Sequence, residues 1–483
     1  MQRNTKRTRS ADASRPIDRR SFLRQTACLS SVSVASTLTS LQLTSAVMAA
    51  DPIPGDYKAL VCIFLYGGND SFNMLMPYDT AEYDDYLSIR YAQNQSGLAI
   101  PHDDLLMIGD TNSARNFGLH PSMSGLQSLY NEGKVAFVAN VGSLVEPTDR
   151  TAYDNDINLP LGLYSHSDFT RHWQTSVPQT RTHVTGWGGR MADILTDPAA
   201  YNDAIGMSIS VGDVNLLQTG ANVYPYVVNV DGATLNEGYR YDWGPDIIFR
   251  RSFNDALGRT HANLVTQTYA DATSQAIEAA QLYNDATEDV SLTTEFPSNY
   301  LGQQLQRVAR TIGAAGRFGK SRQIFFVNIG GFDNHADLIG PHGVLMDEVS
   351  SAMSAFYAAT EELGVASNVT SFTVSDFART LAGNGQGSDH GWGGNQIVMG
   401  GAVNGGGIYG QYPMTLAAND PAVMNNPLDV YRGILIPTTS VDQFNAEMAM
   451  WFGIANNADL VDVLPNIRNF FPAGGAQGPL GFL

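Results

Sequence analysis

Cysteine is nearly absent from this sequence of 483 residues, which contains only Cys28 and Cys62. Cys28 lies in the first fifty residues, which we predict to be a removable signal. The mature chain then keeps one cysteine and cannot form an intramolecular disulfide. Cys62 lies within the apolar run 59–65. We therefore expect a strand buried on both faces, in which Cys62 acts as a small hydrophobic core residue.

Positive charge is also scarce, with 28 Lys and Arg against 47 Asp and Glu. Without the first fifty residues the chain has 20 basic and 45 acidic residues, a net charge of −25. This balance disfavours nucleic acid or an anionic membrane surface as a partner. It is compatible with cation binding, although solubility alone explains it equally well.

Long apolar runs are missing, and the sequence predicts no stable insertion into a membrane. Residues 1–50 instead have a basic start, the segment Asp18-Arg19-Arg20-Ser21-Phe22-Leu23-Arg24, a mild Ser/Thr-rich apolar run and small residues up to Ala50. This pattern predicts a twin-arginine signal peptide that the Tat translocase reads. We expect residues 51–483 to form a single soluble domain that is periplasmic or secreted.

Strand-like and helix-like segments alternate along the mature chain. Buried strands are predicted at 59–65, 135–141, 323–329 and 371–375, and helices around 301–312 and 345–363. This alternation predicts an α/β fold with a mostly parallel central sheet flanked by helices.

Acidic residues follow three of these strands. Asp70 comes after the first, Asp333 with His335 after the strand at 323–329, and Asp376 after the strand at 371–375. A glycine-rich loop then carries Asp389-His390. Because ligands collect at the carboxyl ends of parallel strands, we predict a divalent-metal site from these six residues. Ordinary turn chemistry is the alternative interpretation, above all for Asp70.

The residue types do not identify which metal would bind. Zn²⁺ and Mn²⁺ tolerate mixed sets of His and carboxylate ligands, whereas oxygen ligands alone would favour Mg²⁺ or Ca²⁺. Ser165 lies at the start of an amphipathic segment beside His166. It is first a helix N-cap candidate, and a hydroxyl at this place could also act as a nucleophile.

Several longer motifs resemble one protein family. They include FLYGGNDSFNMLMP, YSHSDFTRHWQ, GGFDNHADL, SDFART and SDHGWGGNQIVMGGAVNGGGIYGQYP, and similar motifs run in order from about residue 59 to residue 471. The sequence is identified as a member of the DUF1501 family of exported bacterial proteins. That family is placed in the alkaline phosphatase-like superfamily, beside phosphatases, sulfatases and phosphoglycerate mutases.

The resemblance implies roles for individual residues. Asp70, Asp333, His335, Asp376 and His390 resemble metal ligands of the superfamily, and Ser165 is the best placed counterpart of its nucleophile. Phe377 follows Asp376 where the superfamily often has His, so the pair Asp389-His390 is an alternative counterpart. The sulfatase Cys/Ser-x-Pro-x-Arg signature is absent, which disfavours a formylglycine sulfatase.

The resemblance also implies an activity. We expect a metal-dependent hydrolase of small phosphate or sulfate esters, with Ser165 or a hydroxide on the metal as the attacking group. The alternative is a non-catalytic metal- or ligand-binding protein on a degenerate hydrolase scaffold.

Overall fold

The computed structural model describes residues 52–91, 97–200, 203–235, 237–239 and 243–483. The predicted signal peptide at 1–50 lies outside these residues. The described strands are β1 (Lys58–Leu65), β2 (Leu75–Pro77), β3 (Leu106–Gly109), β4 (Asn116–Leu119), β5 (Val135–Gly142), β6 (Ser208–Val211), β7 (Tyr226–Val228), β8 (Arg322–Ile329), β9 (Val369–Ser375), β10 (Gly394–Gly400), β11 (Ile408–Gly410), β12 (Asp429–Tyr431), β13 (Ile434–Leu435) and β14 (Thr439–Ser440). The described α-helices are α1 (Thr80–Arg90), α2 (Ser124–Asn131), α3 (Arg150–Asp154), α4 (His166–Thr175), α5 (Trp187–Leu195), α6 (Gly244–Leu257), α7 (Leu264–Glu288), α8 (Tyr300–Gly313), α9 (Ile339–Glu362), α10 (Val441–Phe452), α11 (Asn457–Val463) and α12 (Ile467–Phe470).

Nine of these strands form the central sheet. Eight lie in the order β11-β5-β10-β9-β1-β8-β6-β7, and β14 also pairs with β5. The pairs of β1 with β8 and β9 are parallel, as are those of β6 with β7 and β8 and those of β5 with β11 and β14. Only β10 runs antiparallel to its neighbours, β5 and β9. The predicted α/β fold with a mostly parallel sheet is confirmed.

Strand β1 shows why its sequence is a continuous apolar run. Successive side chains of a strand point to opposite faces of the sheet. Val61 and Ile63 pack into one hydrophobic core, while Cys62 and Phe64 pack into a second core on the other face. Both faces are thus covered, and the free Cys62 is a core residue, as expected.

Helices cover both faces of the sheet. On one face, α8 and α9 contribute Leu305, Val308 and Met353 to the first core. On the other face, α10 contributes Phe444 and Met448 to the second. Among the described residues, no helix combines the length and apolar character needed to cross a membrane.

The three central strands end side by side. Leu65 of β1 pairs with Ile329 of β8 and with Ser375 of β9, and these are the last residues of the three strands. Because the strands are parallel, the segments after them leave the sheet at the same edge. The antiparallel strand β10 starts at this edge, so the loop at 376–393 returns to it.

Candidate metal centre

Hydrogen bonds connect the segments that follow β1, β8 and β9. The amide of Gly67 donates to Oδ2 of Asp376 at 3.1 Å. Arg379 donates to the Gly67 carbonyl at 3.2 Å and to Oδ1 of Asp333 at 2.8 Å. Gly67 has a φ of 115°, and a Cβ atom there would lie 2.4 Å from the amide nitrogen of Asp333. Only glycine lets the segments approach this closely.

Three imidazole rings surround Oδ1 of Asp333. The distance to this atom is 3.1 Å from Nε2 of His335, 3.5 Å from Nε2 of His390 and 3.6 Å from Nε2 of His166. The Nε2 atoms of His335 and His390 are 2.9 Å apart. His166, Asp333 and His390 each offer one ligand atom, and these atoms lie within 4.8 Å of one another. We call His166, Asp333, His335 and His390 the His–Asp cluster.

The other nitrogen of each ring, Nδ1, is held from outside the cluster. Nδ1 of His166 lies 2.6 Å from Oδ2 of Asp376, and Nδ1 of His390 lies 2.7 Å from the carbonyl oxygen of Tyr164. Nδ1 of His335 lies 3.4 Å from Oδ1 of Asp389. Metal-binding histidines commonly present one nitrogen to the ion while the other bonds to a carboxylate or carbonyl. The three rings share this arrangement.

The donor set fits a divalent ion. Zn²⁺ binds imidazole nitrogen and carboxylate oxygen at about 2.0–2.2 Å, and tetrahedral bonds of that length place neighbouring ligand atoms about 3.3 Å apart. The separations from Asp333 Oδ1 to the three nitrogens, 3.1 to 3.6 Å, bracket this value, and the Nε2 atoms of His335 and His390 are slightly closer, at 2.9 Å. Nε2 of His166 is also buried and has no hydrogen-bond partner. A buried polar atom of this kind needs a partner, and a cation would provide one.

The surroundings set the protonation of the cluster. The hydrogen bond that His166 donates to Asp376 raises the pKa of His166. Burial lowers the pKa of His390, so this ring is neutral near pH 7. Although partial burial alone would raise the pKa of Asp333, the hydrogen bond and charge of Arg379 lower it. A neutral imidazole beside an ionised carboxylate is the protonation state that a metal needs in its ligands.

Asp376 and Asp389, predicted as metal ligands, lie behind the rings. Besides His166, Asp376 accepts a hydrogen bond from Oγ1 of Thr170 at 3.1 Å. Asp389 accepts from Asn384 at 2.9 Å and from Arg432 at 2.7 Å. Burial would raise the pKa of Asp389, but these two donors lower it. Both carboxylates therefore orient histidines of the cluster.

Asp70 is engaged elsewhere at the sheet edge. Its side chain is 1% exposed, and Oδ1 accepts a hydrogen bond at 2.7 Å from Arg90 of α1, which is fully buried. Its other oxygen, Oδ2, is buried without a hydrogen-bond partner. The structure brings the segment after β1 to the site through the Gly67 amide, while the Asp70 carboxylate pairs with α1.

Ser165 caps helix α4, as expected from its position as an N-cap candidate. Its Oγ accepts from the amide of Asp168 at 3.4 Å and lies 3.2 Å from Oγ of Ser167. The next residue, His166, is in the cluster, so the cap places a hydroxyl one residue from a candidate ligand. The preceding residue, Tyr164, has a φ of 69°, which is uncommon for a residue other than glycine. This conformation accompanies the hydrogen bond that the Tyr164 carbonyl oxygen accepts from Nδ1 of His390.

His166 is the ligand candidate that the sequence reasoning did not propose. It follows a long connection after β5 and begins a helix. The expectation that ligands come directly after parallel strands therefore does not apply to it. The available signal was its position beside Ser165 at a predicted helix start. Arg379 was also missed, because a buried arginine between two loops leaves no periodic pattern.

Comparison with solved structures finds distant likeness to sulfatases and to a synthase, among others. The PsFucS1 sulfatase from Pseudoalteromonas sp. is 11% identical with a TM-score of 0.28, over 73% of this chain and 64% of that one. The 2-O GAG sulfatase BT1596 is 8% identical with a TM-score of 0.25, over 72% and 65%. The lipoteichoic acid synthase LtaP from Listeria monocytogenes is 8% identical with a TM-score of 0.25, over 69% and 60%. The chain thus spans slightly less than two thirds of the length of these three proteins, and likeness this distant carries no argument for a shared activity.

Comparison with curated proteins finds no match. The comparison with family models does find one. The model described as "Protein of unknown function (DUF1501)" matches residues 57–464, which is most of the sequence. The chain therefore belongs to the DUF1501 family.

Proposed function

We propose that this protein is an exported, metal-dependent hydrolase of small phosphate or sulfate esters. One observation carries the proposal. The buried, unpartnered Nε2 of His166 converges with Asp333 and His390 at the carboxyl ends of parallel strands. In α/β proteins, ligands usually bind outside the carboxyl ends of the strands.

The residues of the cluster divide the work between binding and orientation. His166, Asp333, His335 and His390 would hold the ion. A bound Zn²⁺ or Mn²⁺ would polarise the ester and stabilise the charge that develops on the transferring group. Asp376 would keep the His166 ring in place and accept its Nδ1–H, which fixes Nε2 as the free lone pair.

Ser165 is the proposed nucleophile. Its hydroxyl is presented at the N-terminus of α4, where the helix dipole favours negative charge. His166, directly after it in the chain, belongs to the cluster, so an ester held at the cluster would lie near this helix terminus.

A non-catalytic metal- or ligand-binding protein is the second candidate. Two observations favour it: the Ser165 hydroxyl is engaged in capping α4, and Asp70 is neutralised by Arg90. Such a protein would hold an ion without turning over esters.

One experiment separates the two functions. The purified mature protein is analysed for metal content and assayed with p-nitrophenyl phosphate and p-nitrophenyl sulfate. Metal with hydrolysis that His166→Ala abolishes supports the hydrolase. Metal without hydrolysis of either ester supports a metal-binding protein, and protein that takes up no added Zn²⁺ or Mn²⁺ overturns both the hydrolase and the metal-binding protein.

A further inference from the structure

We propose that the His–Asp cluster holds a single divalent ion, and that the arginines paired with its acids supply the positive charge that a second ion would otherwise bring. This inference rests on the metal site of the proposed function and specifies its ion count. Its basis is the pairing of the acids around the cluster.

Three of the four predicted acidic ligands are bound by arginine. Arg90 lies 2.7 Å from Asp70, Arg379 lies 2.8 Å from Asp333, and Arg432 lies 2.7 Å from Asp389. The fourth acid, Asp376, accepts hydrogen bonds from the Gly67 amide and Thr170 and contacts His166. In a two-metal site the ions lie about 3.5–4 Å apart, and each ion needs ligands of its own from the surrounding side chains. Asp333 is paired with an arginine as well, but of these four acids it is the one that also faces the Nε2 atoms of three histidines, so it can serve one ion while the other three acids bind their own partners.

Several hydrogen bonds hold Arg379 in place beside Asp333. Its side chain is fully buried, and Nε donates to Oγ of Ser388 at 3.1 Å. Its other donors bond to the carbonyl oxygens of Ser388 and Gly67. The guanidinium is therefore a fixed charge of the scaffold. It acts on the metal through Asp333, which makes Arg379 a positioning residue.

The local charge favours one ion. Asp333, Asp376 and Asp389 provide three negative charges, and Arg379 with Arg432 provides two positive charges. When the imidazoles are counted in the neutral form that metal ligands must take, the net charge is −1, so one divalent ion brings the centre to +1, which suits an anionic ester. A second ion would raise it to +3 within a few ångströms, where like charges repel strongly.

The first test is the ion count of the wild-type protein. Metal-free protein is titrated with Zn²⁺ and, separately, with Co²⁺, followed by calorimetry and by the visible absorption of bound Co²⁺. We expect both titrations to end at one ion per chain. An end point of two ions overturns the inference. One ion in a protein that hydrolyses no ester supports it while refuting the hydrolase proposal, and no bound ion overturns both.

The second test is the role of Arg379. Removal of its charge in Arg379→Gln leaves Asp333 free and should tighten Zn²⁺ binding about tenfold or admit a second ion. Arg379→Lys keeps the charge but not all of the guanidinium bonds, so it should keep the wild-type count of one ion. The matched control is Arg181→Gln, which breaks an exposed pair with Asp168 on α4. Equal affinity and ion count in wild type and Arg379→Gln would overturn the role of Arg379. If Arg379→Gln does not fold, the wild-type ion count and Arg379→Lys decide the question.

Discussion

The two ring nitrogens of His390 face different partners. Nδ1 faces the Tyr164 carbonyl at 2.7 Å, so that nitrogen carries the proton, and Nε2 is left to face Asp333 and His335. Since its pKa is lowered by burial, the ring needs little deprotonation before it binds an ion near neutral pH.

We predict that His390→Ala loses at least 100-fold in Zn²⁺ affinity and abolishes ester hydrolysis, because the change removes a ligand and not only its orientation. Calorimetric titration and the p-nitrophenyl ester assay measure the two effects. His261→Ala, in the connection between α6 and α7, is a control that should bind metal normally. Full affinity in the His390 variant would remove this residue from the site.

Ser165 needs a substitution that separates its two roles. Asparagine caps helices as well as serine does but carries no hydroxyl, so Ser165→Asn should change the free energy of unfolding by less than about 0.5 kcal/mol. We predict loss of ester hydrolysis with unchanged Zn²⁺ binding. Ser167→Ala is the control, since Ser167 contacts Ser165 and should tolerate truncation. Hydrolysis at the wild-type rate in Ser165→Asn would show that another group attacks the ester.

At this scale, the rule that ligands collect after buried strands finds the part of the chain but not the role of each residue. Asp333 and His335 come after β8 and lie in the cluster, while Asp376 directly follows β9 and lies behind His166. The role of each as a metal ligand stays a prediction. Asp70 follows the same rule, yet its carboxylate pairs with Arg90, and this pairing depends on how α1 packs, which no local pattern encodes. His166 reaches the site from a helix start, so its role depends on tertiary structure.

At the scale of elements, runs buried on both faces were the most predictable feature. The strands expected at 59–65 and 323–329 differ from β1 and β8 by one residue at the start. The direction of β10 could not be predicted, because an apolar run is the same in a parallel and an antiparallel strand. That direction matters for the site. Because β9 ends and β10 starts at the same edge of the sheet, the loop between them keeps Asp376, Asp389 and His390 at that edge.

Buried histidines in or beside three helices make a prediction about acid stability. His120 before α2, His172 in α4 and His342 in α9 are at most 4% exposed. Burial lowers the pKa of each to about 4. An unfolded histidine has a pKa of about 6.5, so between these values the unfolded state binds more protons. The free energy of unfolding should therefore fall as the pH drops from 6.5 to 4, on the order of 3 kcal/mol per histidine.

Urea unfolding of metal-free protein at pH 7.5, 6, 5 and 4.5 measures this dependence. His172→Gln should reduce the slope, because Nδ1 of His172 is buried without a partner and tolerates no added proton. His261→Gln is the control and should keep the wild-type slope. A midpoint that stays constant from pH 7.5 to 4.5 would show that these rings accept protons without cost.

At the scale of the whole molecule, the excess of acidic residues and the family membership were evident from the sequence. The number of metal ions that the protein binds was not.

The paired arginines Arg19 and Arg20 predict export of the protein through the Tat pathway. Arg19→Lys with Arg20→Lys should keep the unprocessed precursor in the cytoplasm, since the Tat receptor reads the pair. Cell fractionation with immunoblotting measures this, and Arg7→Lys with Arg9→Lys, which leaves the pair intact, should be exported. Normal export of the first variant would contradict the Tat assignment.

A bound ion should stabilise the whole folded chain, because it binds the assembled cluster and not the unfolded residues. An ion at 100 times its dissociation constant adds about 2.7 kcal/mol. The unfolding entropy of a chain this long is roughly 1 kcal/mol per kelvin, so excess chelator should lower Tm by about 3 °C. Differential scanning calorimetry with EDTA, and again after Zn²⁺ or Mn²⁺ is restored, measures the change. In His166→Ala the chelator should have no effect, since this variant lacks a ligand of the cluster. An equal drop in that variant would place the ion elsewhere, and an unchanged wild-type Tm would leave the cluster as a hydrogen-bonded network without a metal.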